Sequence, residues 1–168
     1  MYFSAPMVAG RSCARLACAL LLAASVAGCE ADMTTMDLRS LETRAAHHDA
    51  LACPAGFCRV TADFDSPDFP VSEQSLMTRV REIIAQEPRT RLADKNETLN
   101  QLVFVQRSRV FRFPDTIWIQ PVRRGTVASV IIYSRSKYGY GDFGANKRRV
   151  RRWLGKLSEN IGTAKAGH

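Results

Sequence analysis

Thr126–Leu157, TVASVIIYSRSKYGYGDFGANKRRVRRWLGKL, is the stretch whose reading decides the fold. Its opening run, to Ser134, is rich in β-branched and aromatic residues, the composition of a strand on a packed surface. Gly139, Gly141 and Gly144 then supply a turn, because glycine takes positive φ at no steric cost. Val150, Trp153, Leu154 and Leu157 follow at i, i+3, i+4 and i+7, one apolar stripe of a helix expected over about 143–158. Arg148, Arg149, Arg151, Arg152 and Lys156 are expected to cover the opposite face. Asp142 is the expected N-cap, and Phe143 joins the apolar stripe. Asn146 also points inward, where its amide must find partners, and it is expected to hold the glycine turn in shape.

Working outward, Leu99–Gln106, Arg109–Phe113 and Thr116–Val122 share the strand character of Thr126–Tyr133. The connections Arg107-Ser108, Pro114-Asp115 and Arg123-Arg124-Gly125 are too short for parallel crossovers, so they imply an antiparallel meander. Pro121 belongs at a strand end or on an edge strand, because it cannot donate to a ladder. Further upstream, Ser72 reads as an N-cap with Glu73 in the first turn. Leu76, Met77, Val80, Ile83 and Ile84 form one stripe of a helix over about 72–86, closed by Pro88. The expected fold class is therefore α+β. An antiparallel sheet of four or five strands carries the earlier helix and the C-terminal basic helix on one face.

The first 28 residues read as a targeting segment. Arg11 and Arg15 precede an apolar run, Leu16–Val26, that is too short to span a bilayer with ordinary flanks. Ser25-Val26-Ala27-Gly28-Cys29 resembles a bacterial lipobox, with Val26 in place of the commonest leucine; Met1 or Met7 serves as the start. In that resemblance Cys29 is the lipidation site and the mature N-terminus, and the membrane is a partner through the lipid. A plain secretory signal or an N-terminal anchor is the alternative. Residues 29–52 are polar and rich in alanine and threonine. They read as a tether, helical in part over 36–46, with His47 and His48 solvated. A single domain over 53–160 and a disordered tail over 161–168 complete the division.

Removing Cys13 and Cys18 with the signal and Cys29 with the lipid leaves Cys53 and Cys58. An even pair in an exported chain is expected to be oxidised. Closing so short a loop contributes roughly 2 kcal/mol. Zinc would need two further soft ligands, with only His47 and His48 nearby, and no metal or cofactor is expected.

Formal charge is +8, and it is unevenly spread. Residues 29–99 hold 8 basic and 13 acidic side chains, while 100–168 hold 14 basic and 3 acidic. Such a dipolar chain steers anions to one side. Nucleic acid is the usual partner of a basic helix, but export argues against it. Anionic lipid, lipopolysaccharide phosphates, acidic glycans or an acidic protein are the partners expected instead.

Gly139, Gly141 and Gly144 do not make a phosphate loop, since no Gly-Lys-Ser/Thr follows and no βαβ unit surrounds them. The same residues carry a family resemblance. Cys53, Pro54 and Cys58 match one element of domain-of-unknown-function family 1499, and Ser134, Ser136, Gly139, Asp142, Gly144, Asn146 and Arg149 match its late motif. Tyr133 and Lys137 stand where that pattern has arginine. If those arginines form an anion clamp, it is weakened here, because neither residue offers a planar fork. The resemblance implies a fold and no reaction.

The functional expectation is a non-enzymatic envelope lipoprotein that binds an anionic partner at the strand-to-helix junction. Its binding residues are Ser134, Ser136, Lys137, Asp142, Asn146 and Arg149, with Arg148, Arg151 and Arg152 widening the field. A solvated helix face is the bland alternative. A hydrolase using Asp142 with Ser134 or Ser136, or a scaffold for another envelope protein, are the rivals from other classes.

Overall fold

The computed structural model describes residues 36–45, 47–138 and 142–164. Six strands form one sheet: β1 (Asp49–Cys53), β2 (Phe64–Asp65), β3 (Thr90–Asn96), β4 (Gln101–Arg107), β5 (Pro114–Arg124) and β6 (Val127–Ser136). Their spatial order is β2-β1-β6-β5-β4-β3. β4 to β6 make the expected antiparallel meander, β3 extends it as a strand the sequence did not announce, and β1 joins β6 antiparallel. The α+β class stands, but the sheet is larger than four or five strands. It is also mixed, since β1 and β2 pair in parallel.

The helices are α1 (Glu73–Ala85) and α2 (Ala145–Ile161). The hydroxyl of Ser72 caps α1 by accepting from the Ser75 amide at 3.2 Å. The period-two alternation of the strands sorts side chains between two layers. On one face Ala50, Phe104, Ile117, Val130 and Ile132 meet Leu76, Val80 and Ile84 of α1 and Val150, Trp153 and Leu157 of α2. Each of the larger of these side chains, fully buried, contributes about 1.5–3 kcal/mol. The Phe104 and Trp153 rings meet edge to face at 6.3 Å. Both helices thus lie on a single face, as the sequence requires.

The opposite face is not open. Leu51, Val103, Trp118, Ile131 and Tyr133 are covered there by Leu38, Met36 and Leu41 from the N-terminal segment and by Phe57, Val60 and Ala62 after the disulfide. This overturns the tether expected over 29–52, as far as the described residues reach. Leu38 is fully buried within a short 3-10 turn (Leu38–Ser40), and its amide donates to the Gln120 side chain at 2.8 Å. Asp49–Cys53 is an interior strand with all five residues buried. Cys53 and Cys58 are joined in a disulfide, which pins the covering segment to the end of β1.

Three smaller corrections follow. Arg109–Phe113 is not a strand. Its apolar side chains find no layer to pack on, and it forms the exposed connection between β4 and β5. Pro121 lies inside β5, an interior strand, but pairing with β4 stops at Ile119, so the proline sits on a stretch bonded only to β6. Phe143 does not join the apolar stripe. It precedes the helix with φ 50° and is 94% exposed.

Candidate functional site

The strand-to-helix junction divides into a buried lock and an open basic hollow. The lock is built on α2, whose inward stripe extends one turn further back than the apolar residues alone suggest. Asn146 and Arg149 precede Trp153 at helical spacing and are both buried. The solvated position expected for Arg149 is corrected: the structure turns it inward, because acceptors wait there on β4, β5 and β6. Its Nε donates to Gln106 Oε1 at 2.6 Å, Nη1 to Ser134 Oγ at 2.8 Å and to Asn146 Oδ1, and Nη2 to Asp115 Oδ2 at 2.5 Å. Burial pushes the guanidinium's pKa below its ordinary value, and Asp115 pulls the other way. A guanidinium does not lose its proton in a protein, so the charge must be met by hydrogen bonds, and it is.

Asn146 completes the lock. Its Nδ2 donates to the His48 carbonyl at 2.9 Å and to Ser136 Oγ at 3.0 Å, and its Oδ1 accepts from Ser134 Oγ at 2.6 Å. The structural role expected for Asn146 holds, but among the described residues its amide ties β6 and the start of β1 to α2. Gly139 and Gly141 lie outside the described residues. The turn beside them is organised by Asp142, whose carboxylate accepts from the Gly144 amide at 2.8 Å and the Asn146 amide at 2.6 Å. Asp142 therefore does cap the helix start, while Gly144, at φ 75°, occupies the N-cap position itself.

The expected binding residues are accordingly dispersed. Ser134, Ser136, Asn146 and Arg149 are interior and engaged with one another. Asp142 is half-buried over the helix start. Lys137 is exposed, 5.6 Å from the Tyr138 ring. Arg151 leaves the junction and stacks over Phe64 at 5.1 Å. Tyr133 lies on the other face of the sheet, stacked on Trp118 and donating to Asp49 at 3.0 Å, so it could not share a clamp with Ser134 or Arg149. Neither Ser134 nor Ser136 is hydrogen-bonded to Asp142, the base a hydrolase would need within reach.

Arg148 and Arg152, one turn apart on α2, border something else. With Arg89 from the turn after α1 and Arg107 and Arg109 from the end of β4, they line an open hollow of about 230 Å³ whose floor is Arg149 and Asp115. Asp115 is committed to Arg149 and Arg152 to the buried Glu87, which also takes Lys156 at 2.6 Å. Among the described residues no carboxylate pairs with Arg89, Arg107, Arg109 or Arg148. Four guanidiniums thus share one concave site without a counter-charge, an arrangement that raises local anion concentration. Burial opposes ionisation of Glu87, yet Arg152 and Lys156 outweigh it and hold its pKa at about 2.

Sequence reasoning missed Arg89, Arg107, Arg109, Gln106 and Asp115. The available signal was Asp115 itself, one of three acids in the last third of the chain, set where a strand begins.

A family model described as Protein of unknown function (DUF1499) matches residues 35–157, beginning where the covering segment begins and ending at the last buried residue of α2's apolar stripe. The chain belongs to this family. No curated protein and no solved structure matches it. The DUF1499 domain therefore includes the N-terminal segment that the sequence assigned to a tether, and four residues of the late motif, Ser134, Ser136, Asn146 and Arg149, form the lock.

Proposed function

We propose that this DUF1499 protein is a non-enzymatic, lipid-anchored envelope protein that binds an anionic group, a phosphate or carboxylate of an envelope component, in the arginine hollow. The observation that carries the reading is the set of four guanidiniums without a carboxylate partner around one hollow, supported from below by the Arg149–Asp115 pair. Arginine forks suit phosphate and carboxylate oxygens, which they engage two hydrogen bonds at a time. The Cys53–Cys58 disulfide fits an oxidising compartment. Lipidation at Cys29 and the signal over 1–28 lie outside the described residues and remain part of the proposal. Seven residues, 29–35, join Cys29 to the first described residue, and a chain of that length reaches at most about 25 Å. The domain is then held close to the membrane rather than floated away from it.

The test is titration of the full-length protein in neutral detergent with inorganic phosphate and a phosphomonoester at low salt. Saturable binding that weakens as salt rises supports the reading; no binding, or binding indifferent to salt, removes it.

A further inference from the structure

The described chain leaves five large apolar side chains exposed, and all five lie at one end of the sheet. Val110, Phe111 and Phe113 belong to the β4–β5 connection at 75%, 73% and 42% exposure; Tyr138 at 41% and Phe143 at 94% belong to the passage from β6 to α2. The register places these segments side by side, because Asp115 pairs with Ser136 and Pro114 with Arg107. Phe111 stacks on Phe113 at 5.6 Å, and Phe113 meets Tyr138 at 5.8 Å, so three of the rings form one continuous ridge.

The loop is held in place. Ser108 and Phe113 close its base through Ser108 N to Phe113 O at 2.9 Å and Phe113 N to Ser108 Oγ at 3.0 Å. Arg107 Nη1 braces it further by donating to the Arg112 carbonyl at 3.0 Å. Such bonds present the rings outward instead of letting them fold back on the core. Scattered exposed apolar residues need no explanation, but a ridge of aromatics confined to one end does.

Around the ridge the exposed charge is basic, since the neighbouring acids Asp115 and Asp142 are committed to Arg149 and to the start of α2. Arg109 and Arg112 lie within the loop, and Arg148 faces the adjoining hollow, with no carboxylate paired to any of them among the described residues. Aromatic rings at headgroup depth with arginines reaching phosphates is the physical signature of a surface that rests in a bilayer interface. We infer that the Val110–Phe113 tip, with Tyr138 and Phe143, docks into the interface of an anionic phospholipid bilayer. Arg109 and Arg112 meet lipid phosphates there.

The proposed anchor is compatible with this pose. The Met36 carbonyl accepts from Gln101 at 2.7 Å, at the start of β4, and the tip follows Arg107 at its end. Six strand steps separate those ends, roughly 20 Å. A connection that reaches up to about 25 Å lets the lipid and the tip enter the same membrane. The docking surface goes beyond anion binding in the hollow and does not require it.

The experiment uses the full-length chain with Phe111→Trp, reconstituted in phosphatidylcholine vesicles with or without phosphatidylglycerol, some carrying brominated acyl chains. Trp118 and Trp153 are fully buried and supply a constant background. The inference is supported by a blue-shifted indole at position 111 that loses at least half its emission to brominated lipid. The loss should be greater with phosphatidylglycerol and absent in a Phe113→Ser/Arg112→Glu background. An indole at that position that stays at the aqueous wavelength and unquenched overturns it. So does a photo-crosslinker at position 111 that captures a protein, and not lipid, in intact envelopes. Arg148→Glu separates the two proposals: it should weaken phosphate binding by at least about tenfold while leaving the introduced indole at the same depth.

Discussion

Nη2 of Arg149 lies 2.5 Å from Oδ2 of Asp115, and the two side chains retain 5% and 8% of their exposure. This contact joins the first turns of α2 to the start of β5 and fixes how the helix lies on the sheet. Breaking a buried pair strands a charge, which costs about 3–5 kcal/mol. Arg149→Met and Asp115→Ala should each lower unfolding free energy by that amount in urea titrations. Arg149→Lys should not restore it, because a lysine cannot reach Gln106, Ser134 and Asp115 at once. A loss below about 1 kcal/mol would contradict the lock.

Asn146 carries the second part of that lock. Truncating it to alanine leaves the Ser134 and Ser136 hydroxyls and the His48 carbonyl short of partners in the interior. A penalty of about 2–3 kcal/mol is expected, read as a lower thermal midpoint. An unchanged midpoint would refute the assignment.

The N-terminal segment gives a sharper division between the two pictures of residues 36–45. As part of the domain, Leu38 fills a fully buried position against the second face of the sheet. Leu38→Ala should then cost about 2–5 kcal/mol. In a solvated tether the same change would be silent in a melting curve.

What the sequence disclosed and withheld has physical causes. α1, α2 and strands β4 to β6 are legible because apolar stripes and β-branched runs mark buried faces. β1 is not, since Asp49-Ala50-Leu51-Ala52-Cys53 carries small residues where two layers pack closely, and nothing about it signals a strand. β3 is a polar edge, Thr90–Asn96, whose pattern comes from pairing rather than burial. Arg109–Phe113 misleads because composition cannot distinguish a strand from apolar residues exposed on a tip. Arg149 misleads because charge alone assigns it to solvent; only Asp115 and Gln106, distant in sequence, make its burial tolerable.

Glu87 predicts the acid limb of stability. Its folded pKa of about 2 lies below the ordinary 4.5, so its contribution is present above pH 4.5 and lost as pH falls toward 2. Arg152 and Lys156 are nearly half exposed, which screens the interaction, and a loss of about 1–2 kcal/mol across that window is expected. Glu87→Gln should flatten the change over the same window. Unfolding curves at stepped pH that are identical for both proteins would contradict it.

The central claim is that the junction binds anions through arginines left without a carboxylate partner, while the motif residues beneath them only hold the fold. Its most direct measurement is calorimetric titration of inorganic phosphate into full-length wild-type and Arg148→Glu protein at low salt. The account predicts saturable binding that weakens by at least about tenfold in the variant, about 1.4 kcal/mol, with an unchanged melting midpoint. Equal affinity in the two proteins, or no heat from either, would contradict it.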